Sequence, residues 1–167
     1  AMRERSVGLG VMGFHSFLQK NSIPIESVMS KVWNNKIFKH IQTHVDESSK
    51  KLAEERGSCP DSEEYGFKER FSNKTAIAPT ASISIICGGA SPGVEPVAAN
   101  SYTHKTLSGS YNVRNRYLKK ILKKHGKDND ETWSTITTNQ GSISHLDFLT
   151  NHEKDVFKTA FELDQKW

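Results

Sequence analysis

Apolar residues recur at helical spacing in several windows of the chain, and strand-like alternation is scarce. Val11, Phe14, Phe17 and Leu18 predict a helix over residues 8–20, ended by Asn21 and Pro24. A second helical pattern covers residues 27–56. Ile37, Ile41, Val45 and Leu52 mark its buried stripe and Phe38 widens it. Asn34-Asn35 is a point where it could divide, and Gly57 suits the position just past its end.

The character then changes. TAIAPTASISIICGGASPGVEP, residues 75–96, is β-branched, small and glycine-rich. Residues 75–78 read as a short buried strand that Pro79 ends. Residues 82–87 fit either another strand, which propensity favours, or the opening turn of a helix. Gly88, Gly89, Pro92 and Gly93 mark a loop. Helical patterns return at residues 115–124, with Tyr117, Leu118, Ile121 and Leu122 on the apolar side, and at residues 130–138. Thr150-x-x-Glu153 is a capping box that opens a last helix, with Val156, Phe157, Ala160 and Phe161 as its buried face. The chain stops at Trp167 without a capping signal, so a piece of a longer polypeptide is expected.

At 167 residues the chain is long enough for one domain with a core. No apolar run approaches membrane-spanning length and no leader pattern opens the sequence, so a cytoplasmic protein with no membrane partner is expected. Cys59 and Cys87 give neither a disulfide framework nor metal spacing. The net charge of +4 is concentrated in RNRYLKKILKKHGK, residues 114–127. This stretch is either a solvated helix face or the basic surface of a non-catalytic nucleic-acid-binding module.

GLGVMG, residues 8–13, matches the G-x-G-x-x-G of dinucleotide-binding folds. That chemistry needs a strand before the first glycine, a helix near the third, and an acidic residue about twenty positions on after a second strand. The preceding AMRERSV is too charged for a buried strand, and no second strand follows. The glycines therefore point to close packing on the first turns of a helix. His40 and His44 are spaced to share one helix face, but no third metal ligand is evident and two surface histidines are expected. Neither cysteine has a nearby histidine to activate it, so both are assigned to packing.

PTASIS, residues 79–84, places Thr80, Ser82 and Ser84 within five positions after a proline. If a helix starts there, its free N–H groups and dipole combine with the hydroxyls into an anion site without Lys or Arg. An ordinary Ser/Thr turn explains the same residues equally well.

Three stretches together resemble the large (α) subunit of ribonucleotide reductase. They are RSVGLGVMGFHSFLQ (5–19), SKKLAEERGSCP (49–60) and NKTAIAPTASISIICGGASPGVEP (73–96). HKTLSGS, GSISHLDFL and FKTAFELDQKW look like the same family's continuation, so the likeness covers nearly the whole chain. It implies an α/β fold, here a predominantly helical fragment of the family's ten-stranded α/β barrel. Residues 1–167 would be a single segment from its C-terminal half. The implied activity is reduction of ribonucleotides to deoxyribonucleotides by a cysteine thiyl radical, in the aerobic class acting on nucleoside diphosphates. The implied site is a substrate-phosphate turn formed by Pro79, Thr80, Ala81, Ser82 and Ile83, which favours a helix start at Ser82. Some family members carry Glu where this chain has Ala81, so an acidic role there is not expected.

The family's Asn-x-Cys-x-Glu radical loop does not occur in this sequence. Its C-terminal cysteine pair, radical-path tyrosines and N-terminal nucleotide-binding regulatory domain are also unmatched. The expectation is therefore no catalytic residue, no metal ligand and no bound cofactor in this segment, and no activity for it alone. The complete enzyme is expected to use a radical from a metal-containing small subunit, ATP and dNTP effectors, and thioredoxin or glutaredoxin. The expected partners of this segment are a ribonucleoside diphosphate and the rest of the large subunit.

Overall fold

The computed structural model describes residues 1–107 and 109–167. It is helical with one small sheet. The elements in order are α1 (Phe14–Lys20), α2 (Val28–Arg56), α3 (Pro60–Glu64), α4 (Ala81–Ile86), β1 (Ser101–Thr106), β2 (Gly109–Arg114), α5 (Arg116–Lys124), α6 (Asp130–Thr138) and α7 (Asn151–Val156). The chain divides into two compact units, Ala1–Val11 with Lys31–Ala78, and Met12–Ser30 with Pro79–Trp167.

In the first unit, α2 runs without a break through Asn34-Asn35, because each asparagine costs a 29-residue helix only about half a kcal/mol. Its predicted stripe is half-buried, and the closed positions are Ser49 and Ala53. Ser49 Oγ accepts the Arg70 N–H at 3.2 Å. The Lys74 ammonium pairs with Asp46 at 2.7 Å and Glu69 at 3.2 Å. Arg3 holds α3 through Asp61 and Glu64.

The predicted buried strand at residues 75–78 does not form as such. One parallel bridge joins Thr75 to Leu9, and Ile77 is 80% exposed. A β-branched run needs neighbours on its edges, and here its partner is the extended segment around Leu9 alone among the described residues. The helix predicted from residue 8 accordingly begins later, at Phe14. Gly8 and Gly10 lie in the extended segment, where an added Cβ would stand 2.9 Å from Ala76 Cβ and 2.8 Å from the Ala76 carbonyl oxygen, respectively. Close approach explains these glycines, but between extended segments and not on a helix.

The second unit holds the main core. Leu118 and Leu122 of α5, Trp133 and Ile136 of α6, then Ile143, Leu146, Leu149, Val156 and Phe157 form one buried cluster. Each helix around it carries its own start signal. Asn115 and Asn129 cap α5 and α6, and Thr150 and Glu153 form the predicted capping box of α7. The last helix is shorter than predicted, and Phe161 is 85% exposed instead of buried. Lys158 binds Glu26 at 2.6 Å, and this hydrogen bond lowers the Glu26 pKa and raises that of Lys158.

The hairpin β1–β2 was not predicted. It pairs antiparallel from Ser101 opposite Arg114 to Thr106 opposite Gly109. Most of its described residues are exposed, so it lacks the alternation that one buried face imposes.

Candidate functional site

Pro79, Thr80, Ala81, Ser82 and Ile83 form one turn leading into α4. Residues 81–86 are helical, against strand propensity and in line with the family resemblance. Thr80 is left-handed, at φ 50° and ψ 29°. A β-branched residue there carries roughly 1–3 kcal/mol of strain and persists only where its surroundings fix it. Two bonds do so: Thr80 Oγ1 accepts the Gly93 N–H at 2.7 Å, and the Thr80 carbonyl accepts the Ser84 N–H at 2.9 Å.

The first-turn N–H groups of Ala81, Ser82 and Ile83 have no protein partner among the described residues, since N-terminal helix amides point away from their own carbonyls and Thr80 provides no side-chain cap. All three residues are exposed. The hydroxyls divide by role. Ser84 Oγ is buried and donates to the Ala81 carbonyl at 2.8 Å, so it braces the helix. Thr80 Oγ1 already accepts one bond, which leaves its proton to donate. The arrangement is a row of donors with no acidic group within the turn, suited to an oxygen-rich anion.

Within the same unit a cleft of about 590 Å3 is lined by Ala81, Ser84 and Ile85 on one side and by Asn112, Arg114 and Arg116 on another. Arg114 pairs with Asp130 at 2.9 Å and stacks over Trp133.

The other residues singled out from sequence do not assemble into a site. The N–H of Leu9 donates to Lys74 O and its carbonyl accepts from Ala76 N, while the Gly13 N–H donates to the Ser91 and Gly93 carbonyls. These groups of the glycine motif are engaged within the protein and do not face a pyrophosphate. His40 and His44 stack edge-to-face at 4.3 Å on α2, and His44 also pairs with Glu47 at 3.3 Å. No group of three or more potential metal ligands occurs among the described residues. Cys59 is fully buried, as its packing role requires, but Cys87 at the end of α4 is exposed and does not pack. The lysines of α5 are exposed while Leu118 and Leu122 are buried, the pattern of a solvated helix face.

Sequence reasoning did not find the Gly93 N–H that holds Thr80, nor the Ser16–Ser91 pair that anchors the same loop to α1. Nothing in their spacing signals it, because Ser16 and Ser91 are separated by 75 positions. Nor does composition foretell a left-handed threonine.

The barrel-domain family model of ribonucleotide reductase matches residues 1–69 and 61–167. The ribonucleoside-diphosphate reductase large subunit of Invertebrate iridescent virus 6 is 47% identical over 171 residues, 100% of this chain and 18% of that protein. A putative large subunit from Frog virus 3 is 40% identical over 166 residues, 99% of this chain and 29% of its own length. Among solved structures, the Actinobacillus ureae class Id ribonucleotide reductase alpha subunit aligns with a TM-score of 0.84 at 40% identity, covering 95% of this chain and 28% of that one. The chain thus spans less than a third of the length of these relatives. The similarities support the reductase reading and not the nucleic-acid-binding one. No helix among the described residues is long and apolar enough to cross a membrane.

Proposed function

The chain belongs to the ribonucleotide reductase barrel-domain family, and from that premise we propose that it works as part of a ribonucleoside-diphosphate reductase large subunit, supplying the turn that holds the substrate's phosphates. The whole subunit converts ribonucleotides to deoxyribonucleotides for DNA synthesis. The remaining barrel strands, the radical cysteine loop and the electron-accepting cysteine pair come from the rest of that subunit. A small metal-containing subunit supplies the radical, thioredoxin or glutaredoxin the electrons, and ATP and dNTPs act as effectors. The 167-residue chain alone forms no deoxynucleotide.

The observation that carries this reading is the row of three unpartnered N–H groups behind a left-handed Thr80, in the segment that resembles the family's phosphate turn. The mechanism is electrostatic. Fixed donors replace the water around the diphosphate at little reorganisation cost, and so orient the ribose for hydrogen abstraction.

The test is Ser82→Pro in a full-length subunit carrying this segment. Proline is tolerated in a first helical turn, so the change removes one donor and leaves the helix in place. Losing one hydrogen bond to a charged group should weaken diphosphate binding roughly tenfold or more, with the affinity for an unphosphorylated nucleoside unchanged. Unchanged diphosphate affinity overturns the assignment.

A further inference from the structure

We infer that Ser16 and Ser91, both remote from the turn in sequence, are positioning residues that set the donor geometry of the phosphate turn. The inference rests on the phosphate-turn reading above.

Its starting point is the opening of α1. Gly13 stands at the N-cap position and has no side chain to satisfy the first-turn amides. Ser91 supplies the missing cap from another segment, its Oγ accepting the Ser16 N–H at 3.1 Å. Ser16 Oγ returns the bond, accepting the Ser91 N–H at 2.8 Å. The pair is reciprocal and closed to solvent, with Ser91 at 0% and Ser16 at 5% exposure. It fixes residue 91 against a helix, not against another loop.

Two residues further on, the same loop reaches the turn. The Gly13 N–H donates to both the Ser91 and Gly93 carbonyls, at 3.0 and 3.1 Å, which pins the loop on both sides of the Pro92–Gly93 peptide that carries the Gly93 N–H. The Gly93 N–H then donates to Thr80 Oγ1 at 2.7 Å. Among the described residues this is the one side-chain bond that holds Thr80 in its left-handed conformation, and Thr80 sets the direction in which the Ala81, Ser82 and Ile83 amides point. Because Oγ1 is an acceptor toward Gly93, its single proton is directed elsewhere, which matches a phosphate oxygen that can only accept. The path from α1 through residues 91–93 to Thr80 consists of hydrogen bonds with defined directions, so a shift at Ser91 rotates the donors without unfolding α4.

The experiment uses a full-length large subunit carrying this segment, with ribonucleoside diphosphate as substrate, and inorganic pyrophosphate and unphosphorylated nucleoside as competitive probes. Ser91→Ala and Ser16→Ala each remove one half of the reciprocal pair. The expected result for both is a KM for diphosphate raised roughly five- to tenfold, the size of one lost hydrogen bond. Pyrophosphate inhibition weakens in parallel, nucleoside inhibition does not change, and kcat stays within about twofold. Ser16→Thr restores KM, because it keeps the hydroxyl that accepts the Ser91 N–H. If Ser91→Ala fails to fold, Ser16→Ala, at a helix opening, reads the same quantity.

Unchanged KM with a lowered melting temperature would overturn the inference and leave the pair a structural clasp. Equal weakening of diphosphate and nucleoside would overturn it too. Ser82→Pro separates this failure from failure of the phosphate-turn reading. If that variant raises KM and the serine variants do not, only the positioning role falls. If it leaves KM unchanged, the phosphate turn itself is refuted.

Discussion

Asn115 is the residue whose removal should disturb the second unit most per atom lost. Its Oδ1 accepts the N–H groups of Tyr117 at 3.0 Å and Leu118 at 3.3 Å, capping α5. That fixes which end of the amide is the donor. Nδ2 then donates to Gln19 Oε1 and to Asn100 Oδ1, both at 2.9 Å. Asn100, only 1% exposed, passes the order on by donating from Nδ2 to the carbonyls of Gly141 at 3.0 Å and Phe157 at 2.7 Å. One side chain thus links the α1 helix, the start of β1 and the α5 cap. Asn115→Ala loses a cap, about 1 kcal/mol, and leaves two buried carbonyl oxygens without donors, each costing about 1–3 kcal/mol. The expected total is about 3–7 kcal/mol. Asn115→Ser retains an N-cap oxygen but not the two donors, so it should recover about 1 kcal/mol of that loss. Asn115→Asp retains the cap and turns a carboxylate toward two carbonyl oxygens, and should be no better than alanine at neutral pH. Urea titration of the chain, followed by the fluorescence of Trp133 in the core (1% exposed), reads all three. A loss below about 1.5 kcal/mol for alanine would refute the relay as a net stabiliser, and equal losses for alanine and serine would refute the cap.

Gly141→Ala should destabilise by more than about 3 kcal/mol in the same titration, since Gly141 has φ +82° and an added Cβ would lie 2.3 Å from Ala99 Cβ and 2.8 Å from the Asn100 nitrogen. Gly10→Ala places a Cβ 2.8 Å from the Ala76 carbonyl oxygen, and should speed hydrogen exchange of the Ala76 amide while leaving the Trp133 core untouched. Burial pushes the His15 imidazole down to about 4, despite a bond to the Val156 backbone that favours the charged form. The depressed folded value means that stability is highest above the unfolded pKa of about 6.5 and falls by about 3 kcal/mol as pH drops towards 4. An NMR titration midpoint near 6.5 for the His15 ring would refute this.

What could be read from sequence followed local physics. The α7 start was legible because Thr150 lies within three positions of the amide it caps, whereas residues 115–124 were legible from their apolar side and the caps Asn115 and Asn129 emerged only in the structure. The long α2 was legible because its periodicity persists over eight turns' worth of residues, even though its stripe is only half covered. The turn at residues 79–83 was readable as hydroxyls after a proline, but its helix was not, since ASISII is β-branched and α4 is six residues long. The resemblance, not propensity, favoured the helix there. The glycines of residues 8–13 were rightly assigned to close packing and wrongly placed on a helix. The contact that demands Gly8 and Gly10 is Ala76, more than sixty positions away, and no window of the sequence displays it, while Gly13 answers to its left-handed φ of +84°. The hairpin escaped for a different reason: without one buried face it imposes no alternation.

The self-capped helices have a kinetic consequence. Every residue of the main cluster lies between Leu118 and Phe157, and each helix around it starts from a signal held within its own first turn. A nucleus built this way closes only short loops, so its entropy barrier is low and its condensation fast. During synthesis this stretch can collapse as soon as Phe157 clears the ribosome, whereas the pairing of Leu9 with Thr75 must join segments made far apart. Mutations in the cluster should therefore slow folding with φ-values well above those at the Leu9–Thr75 bridge. The part of the chain that forms first is then the part outside the proposed phosphate site, and the turn at residues 79–83 is fitted onto a scaffold already set.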